Sequence, residues 1–282
     1  MQTILLVPYL VWAAFGLVFG SFLNVCIARL PKGESIVTPR SRCPKCGHMI
    51  RWYDNVPVLS YVFLGGKCRD CRTRISPVYP FVEILTAAIW VAGFARYQLS
   101  PEFIKVTILN MLVLIIVFTD LFERTVPHAV TIPGMIAGFF FAFTAPVDAR
   151  PVGWILQHAG FSPGEPLLSI LGGIAGALIG GGLFYAVRWA FSLAGGKYEE
   201  ALGGGDIMLM LMVGMFLGPL LTLMTILFGS LGGTLIAVPM NLSKRFRDYP
   251  WPYGTFLGAA TIVVSLWGAP LLEAYLRWSG IL

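Results

Sequence analysis

Charged residues are scarce in this chain of 282, at 12% against 57% hydrophobic. Soluble domains carry about a quarter charged residues, so an ordinary soluble globule is excluded and a polytopic membrane protein is indicated. The amino end, Met1-Gln2-Thr3, lacks a basic region and no small-residue cleavage site follows the first apolar run, so that run reads as a retained anchor. Heptads, solenoid repeats and long low-complexity tracts are also missing. A membrane bundle with one polar insert accounts for the organisation.

Apolar runs recur at about 4–25, 80–98, 103–120, 128–146, 166–192, 206–217, 218–241 and 255–276. Most approach the roughly 20 residues that cross a bilayer core. The fold expected is therefore all-α and polytopic, with about eight transmembrane helices, or seven if the short sixth run does not span. Its segments are a first helix (1–27), a cytoplasmic metal-stabilised insert (28–79) and a multi-helix membrane domain (80–282).

Basic residues set the orientation. Ten of the twenty Lys and Arg fall in 28–79, and the loops on that same side of an eight-span chain add Arg124, Arg188, Lys197, Lys244, Arg245 and Arg247. Only Arg96, Lys105, Arg150 and Arg277 fall on the other side. The positive-inside rule makes 28–79, 121–127, 193–205 and 242–254 cytoplasmic and both termini external. The net charge of +6 reflects this topology and attraction to anionic lipid head groups, and calls for no nucleic acid. Gly172, Gly176 and Gly180 in the fifth run, and Gly229 and Gly233 in the seventh, mark faces for close helix packing.

Four of the five cysteines form Cys43-Pro-Lys-Cys46 and Cys68-Arg-Asp-Cys71. Two such knuckles suit a tetrahedral thiolate site for structural zinc, with iron as competitor and redox cysteines or disulfides as alternatives. A reducing cytoplasm disfavours the disulfides. His48 is a rival ligand, and Cys26 reads as a buried apolar residue. An insert of about fifty residues has little core of its own, which a metal would offset.

Two carboxylates carry the chemistry. Asp120 closes the third run and Asp206 opens the sixth behind Gly203-Gly204-Gly205. Each ionisable side chain at the membrane centre costs at least about 2.5 kcal/mol, so such residues read as functional. Separate helices delivering both to one face is what an aspartic peptidase needs: one ionised carboxylate to take a proton from water, one protonated to donate to the scissile carbonyl. Plain readings exist, Asp206 as a helix cap and Asp120 as the partner of Arg124. Helix dipoles favour Asp206 as the base and Asp120 as the acid.

Further blocks surround these residues: Gly20-Ser21-Phe22-Leu23-Asn24-Val25, Arg29-Leu30-Pro31, Asn55-Val56-Pro57-Val58-Leu59-Ser60, Tyr79-Pro80 with Glu83, Val126-Pro127, Thr131-Ile132-Pro133-Gly134, Glu200-Ala201-Leu202 and Pro252-Tyr253-Gly254-Thr255-Phe256-Leu257. In this order, nearly along the whole chain, they resemble the type IV prepilin peptidases. The resemblance implies cleavage of a basic leader from prepilins and pseudopilins at the cytoplasmic face of the bacterial inner membrane, in pilus or type II secretion systems. It implies Asp120 and Asp206 as the dyad, with Gly203 and Gly205 supporting the catalytic loop. It also implies methylation of the new amino terminus from S-adenosylmethionine, with Gly66 and Lys67 as the residues suggested for that activity.

No Gly-x-Gly-x-x-Gly supports a Rossmann-type cofactor site. Met208 stands where relatives commonly carry a lysine, Glu123 is a rival for the dyad, and Glu199 and Glu200 are candidate contacts for the basic leader. The alternatives are a peptidase without methylation, which the large insert disfavours, a proton- or cation-coupled transporter, whose carboxylates belong nearer the midplane, and a metal-stabilised membrane scaffold without chemistry, for which the paired aspartates would be coincidental.

Overall fold

A computed structural model describes residues 2–193, 203–242 and 251–280, with side chains from 6 onward. Lys197, Glu199, Glu200, Lys244, Arg245 and Arg247 lie outside the described residues. Among the described residues the chain is helical, and its only ladder pairing is two isolated bridges, Arg42–Met49 and Lys67–Arg74. It divides into two compact units, Met1–Leu99 and Ser100–Leu282.

The first unit contains α1 (Gln2–Arg29), the insert with the short α2 (Leu59–Phe63), and α3 (Val78–Tyr97). α3 therefore packs with α1, although it opens the segment expected at 80–282. Small residues allow the approach: a Cβ on Gly16 would lie 2.5 Å from Ala87 Cα, and one on Gly20 2.6 Å from Glu83 Cα. Asn24 Nδ2 donates to the Tyr79 carbonyl at 3.0 Å, tying the helix ends together. Trp12, Phe15 and Phe19 of α1 lie against Trp90.

The second unit contains α4 (Pro101–Glu123), α5 (His128–Phe141), α6 (Arg150–His158), α7 (Glu165–Leu193), α8 (Gly204–Leu217), α9 (Pro219–Asn241) and α10 (Tyr253–Trp278). The short α8 is its centre, packed by α7, α5, α9, α10 and α4, with Leu209, Met210, Met212 and Val213 wholly buried. The glycine face of α7 meets it directly: a Cβ on Gly176 would sit 2.4 Å from the Gly214 carbonyl oxygen, and one on Gly180 2.7 Å from that of Met210. Gly229 and Gly233 of α9 pack in the same way on Leu257 and Phe256 of α10. The glycine faces expected from spacing are packing faces.

Six helices, α1, α3, α4, α7, α9 and α10, are long and apolar enough to span a bilayer. The fourth and sixth runs form the 14-residue α5 and α8. At 1.5 Å per residue each covers about 21 Å, short of a core about 30 Å thick. The fourth run ends at Phe141 rather than 146 because the chain turns there, and Lys105 Nζ takes the Ala145 and Pro146 carbonyls at 3.2 and 2.6 Å. Lys105 is thus buried against the second unit's own backbone and is no loop charge.

Candidate active site

Asp120 is set by the way α4 ends. The helix starts on Ser100, whose Oγ accepts from Phe103 N, with Pro101 in the first turn, and it runs apolar to Glu123 before Arg124 turns left-handed at φ 55°. Asp120 lies in the last turn with its side chain 7% exposed, facing inward, whereas Glu123 is exposed. Asp206 is set by the start of α8. Gly203 occupies the capping position and Asp206 is the third helical residue, 8% exposed. Asp206 is thus not at the capping position itself: its carboxylate meets the Gly203 backbone N–H at the helix start and also faces the Gly254 position across the bundle.

The two carboxylates meet at the start of α10. A Cβ on Gly254 would lie 3.0 Å from Asp206 Oδ1 and 3.1 Å from Asp120 Oδ2. Both oxygens thus flank one point, which bounds their separation at about twice that distance, room for one water between them. Asp120 Oδ2 accepts from the Thr255 backbone N–H at 2.6 Å and from the Thr255 hydroxyl at 2.9 Å. Gly254 and Thr255 were visible in sequence only as members of a block. Their role follows from the arrival of α10, where absence of a side chain at 254 leaves space for both carboxylates.

The glycines before Asp206 differ in what they do. A Cβ on Gly205 would fall 2.7 Å from Val126 Cβ, so its bareness lets the α8 turn close on the α4–α5 loop. Gly203 meets nothing nearer than Asp206 Oδ2, at 3.5 Å, so a side chain there would stand beside the carboxylate. Met208 is half-buried on α8. Tyr253 stacks on Phe184 with ring centroids 5.9 Å apart and shares a 2.7 Å hydrogen bond with Ser230, fixing the turn that carries Gly254.

In the first unit the two cysteine knuckles repeat one geometry. Cys43 N–H donates to the His48 carbonyl and Gly47 N–H to that of Cys43; Cys68 N–H donates to the Thr73 carbonyl and Arg72 N–H to that of Cys68. Gly47 and Arg72 both take positive φ, at 72° and 57°. The sulphurs of Cys43, Cys46, Cys68 and Cys71 all lie within 4.8 Å of one another, with Cys43 and Cys71 3.8 Å apart. A tetrahedral site with 2.3 Å zinc–sulphur bonds has sulphurs about 3.8 Å apart, so the donor set fits the ion. The backbone N–H groups of Cys46 and Lys45 pull the Cys43 thiol down to about 7, toward the thiolate a metal needs. His48 stands 4.0 Å from Asp70, its Nε2 turned to that carboxylate, and Cys26 is buried in α1.

Beside the second knuckle lies an open cavity of about 610 Å³, lined among others by Tyr61, Gly66, Lys67 and Arg74. Gly65 and Gly66 both have positive φ, and a Cβ on Gly66 would press the Tyr61 ring at 3.0 Å. Gly66 is thus required by the turn and also forms part of the cavity wall.

Fold and site together define a polytopic helical membrane protein with two convergent buried aspartates and a four-cysteine insert. Residues 14–97 match the bacterial peptidase A24 N-terminal domain and residues 107–238 the type IV leader peptidase family. Relatives named prepilin leader peptidase/N-methyltransferase include that of Myxococcus xanthus, 36% identical over 81% of this chain and 62% of its own length. That of Pseudomonas aeruginosa is 31% identical over 94% of this chain and 92% of its own, and that of Bacillus subtilis 32% over 93% and 96%. The chain belongs to the type IV leader peptidase family. No solved structure matches it.

Proposed function

We propose that this protein is an aspartic endopeptidase of the bacterial inner membrane that removes the leader of type IV prepilins and pseudopilins at the cytoplasmic face and methylates the new amino terminus. The convergence of Asp120 and Asp206 on the Gly254 position supports the reading most directly. The excess of Lys and Arg in loops on the side of both aspartates supports the orientation.

In this mechanism a water held between the carboxylates loses a proton to Asp120 as its oxygen adds to the scissile carbonyl carbon. Protonated Asp206 donates to the carbonyl oxygen. Collapse of the tetrahedral intermediate breaks the carbon–nitrogen bond, and a carboxyl proton passes to the leaving amine. This reverses the assignment from helix dipoles. A dipole contributes about 0.3–1 kcal/mol, whereas each hydrogen bond to a charged group contributes about 1.5–3 kcal/mol, and Thr255 directs two at Asp120.

Zinc in the four-thiolate site would hold the insert's fold and leave no ligand position for water. For methylation, the cavity by Gly66 and Lys67 has a size usual for small-molecule sites. The Tyr61 ring there suits a purine, and Lys67 and Arg74 suit the carboxylate of S-adenosylmethionine. That group, when bound, would supply an electrophilic methyl for the substrate's neutral amine.

The deciding experiment incubates the purified chain with a prepilin bearing a Gly-Phe junction, with and without S-adenosylmethionine, and reads intact mass. Wild type should lose the leader and gain one methyl. Asp120→Asn and Asp206→Asn should each cut cleavage by on the order of 10³-fold or more. Cleavage that survives either substitution rejects that aspartate's role and moves Glu123 forward.

A further inference from the structure

The insert carries an apolar face that its own fold leaves uncovered. α2 presents Leu59, Val62 and Phe63, one helical turn apart, at 55, 66 and 85% exposure. Val56 borders the same surface as Leu59 and Phe63, and Trp52, just before it in the chain, is also exposed, at 39 and 76% respectively. An isolated exposed leucine means nothing, but five large apolar side chains on a stretch of twelve residues mark a surface that is covered in the working protein.

The position of this face identifies its cover. The Val58 backbone N–H donates to Glu83 Oε2 at 2.7 Å, and Glu83 is buried. Glu83 is the sixth residue of α3, whose 20 residues make a rod of about 30 Å, the thickness of the hydrocarbon core itself. The chain entering α2 is therefore pinned about 8 Å down the spanning helix from its start. Gly20 of α1 packs on the same residue, well before that helix ends at Arg29. α2 lies beside the spanning helices rather than above them.

Charge points the same way. Residues 28–79 hold ten Lys and Arg against three acids, and Arg51, Lys67, Arg69 and Arg74 near α2 are all exposed. Basic residues close to an anionic leaflet each contribute about 1 kcal/mol, and an apolar face with a tryptophan among cations is the composition of an interfacial helix.

We propose that α2, with Trp52 and Val56, is seated in the headgroup–acyl boundary of the leaflet on the insert's side, the bilayer itself being the partner. The exposed cations around it, Arg69 apart because Asp54 holds it, attract the anionic headgroups of that leaflet, while the knuckles stay in water. The inference rests on α1 and α3 spanning the membrane and is independent of the proposed activity.

The test uses the full chain in phosphatidylglycerol-containing vesicles. A photo-crosslinking phenylalanine analogue at position 63 should yield a lipid adduct, read by mass on the peptide that bears it. In the same vesicles, lipids brominated near the top of the acyl chain should quench the emission that distinguishes wild type from Trp52→Phe, a comparison needed because the chain has eight tryptophans. Failure of either signal overturns the proposal. An adduct to protein in place of lipid would assign the face to a protein partner and overturn it as well.

Discussion

The Thr255 backbone N–H donates to Asp120 Oδ2 at 2.6 Å across a sequence separation of 135 residues. The bond joins the first turn of α10 to the last turn of α4. It fixes the rotation of the Asp120 carboxylate at the point where Asp206 arrives from α8. The same turn supplies Gly254, so one short stretch orients one aspartate and leaves room for both.

Gly254→Ala should be nearly inactive while remaining folded. Its methyl would stand 3.0–3.1 Å from an oxygen of each aspartate, forcing them apart or turning one aside. Displacement of reacting groups by about 1 Å costs roughly 10²-fold, so kcat for leader cleavage should fall by about that factor, with helix content by circular dichroism unchanged.

Thr255→Val removes the hydroxyl donor to Asp120 and keeps the backbone one. Loss of one hydrogen bond to a charged group, about 1.5–3 kcal/mol, should lower kcat/KM by about 10- to 100-fold. Thr255→Ser should retain most of the activity. Loss in Thr255→Ser with activity kept in Thr255→Val would show that the methyl packing of Thr255, and not its hydroxyl, matters.

Removal of metal should act on the insert first. Purified protein should contain one zinc per chain by atomic emission, and Cys43→Ser or Cys71→Ser should abolish it. Because thiolates must lose protons to bind, metal release under chelator should quicken as pH falls. Methylation should disappear with the metal; cleavage of the same substrate measures how far the second unit works without an ordered insert.

Arg69 forks onto Asp54 with bonds of 2.8 and 2.6 Å, linking the second knuckle to the loop before α2. Hydrogen bonding by Arg69 holds the Asp54 carboxyl below its ordinary value. A depressed carboxyl stabilises the fold above its unfolded pKa of about 3.9, and that contribution is lost as pH falls through the lower folded value. Arg69 is half exposed, so solvent screening keeps the effect small. Asp54→Asn should lower the insert's protease resistance slightly at neutral pH and make no difference in acid, where the wild type has already lost this contribution.

Much of the architecture follows from local order along the chain. Apolar runs, glycine spacing and charge asymmetry are properties of neighbouring residues, and they define helices, their close-packing faces and the orientation expected for them. The two Cys-x-x-Cys pairs define their knuckles for the same reason: each is a short loop whose backbone closes on itself. Asp120 and Asp206 stood out because a carboxylate is costly beside an apolar run.

Tertiary structure alone decided what surrounds them. Nothing near Asp120 in the sequence announces Thr255, and nothing near Asp206 announces Gly254, because both arrive on a helix whose position depends on the packing of α8, α9 and α4. The fourth run falls short of 146, where Pro146 has no N–H to continue a helix, and only the fold brings Lys105, far away in sequence, to donate to the Ala145 and Pro146 carbonyls beyond its end. Composition can place a residue in a membrane helix, but only the crossing of helices determines which polar atoms share a point in space.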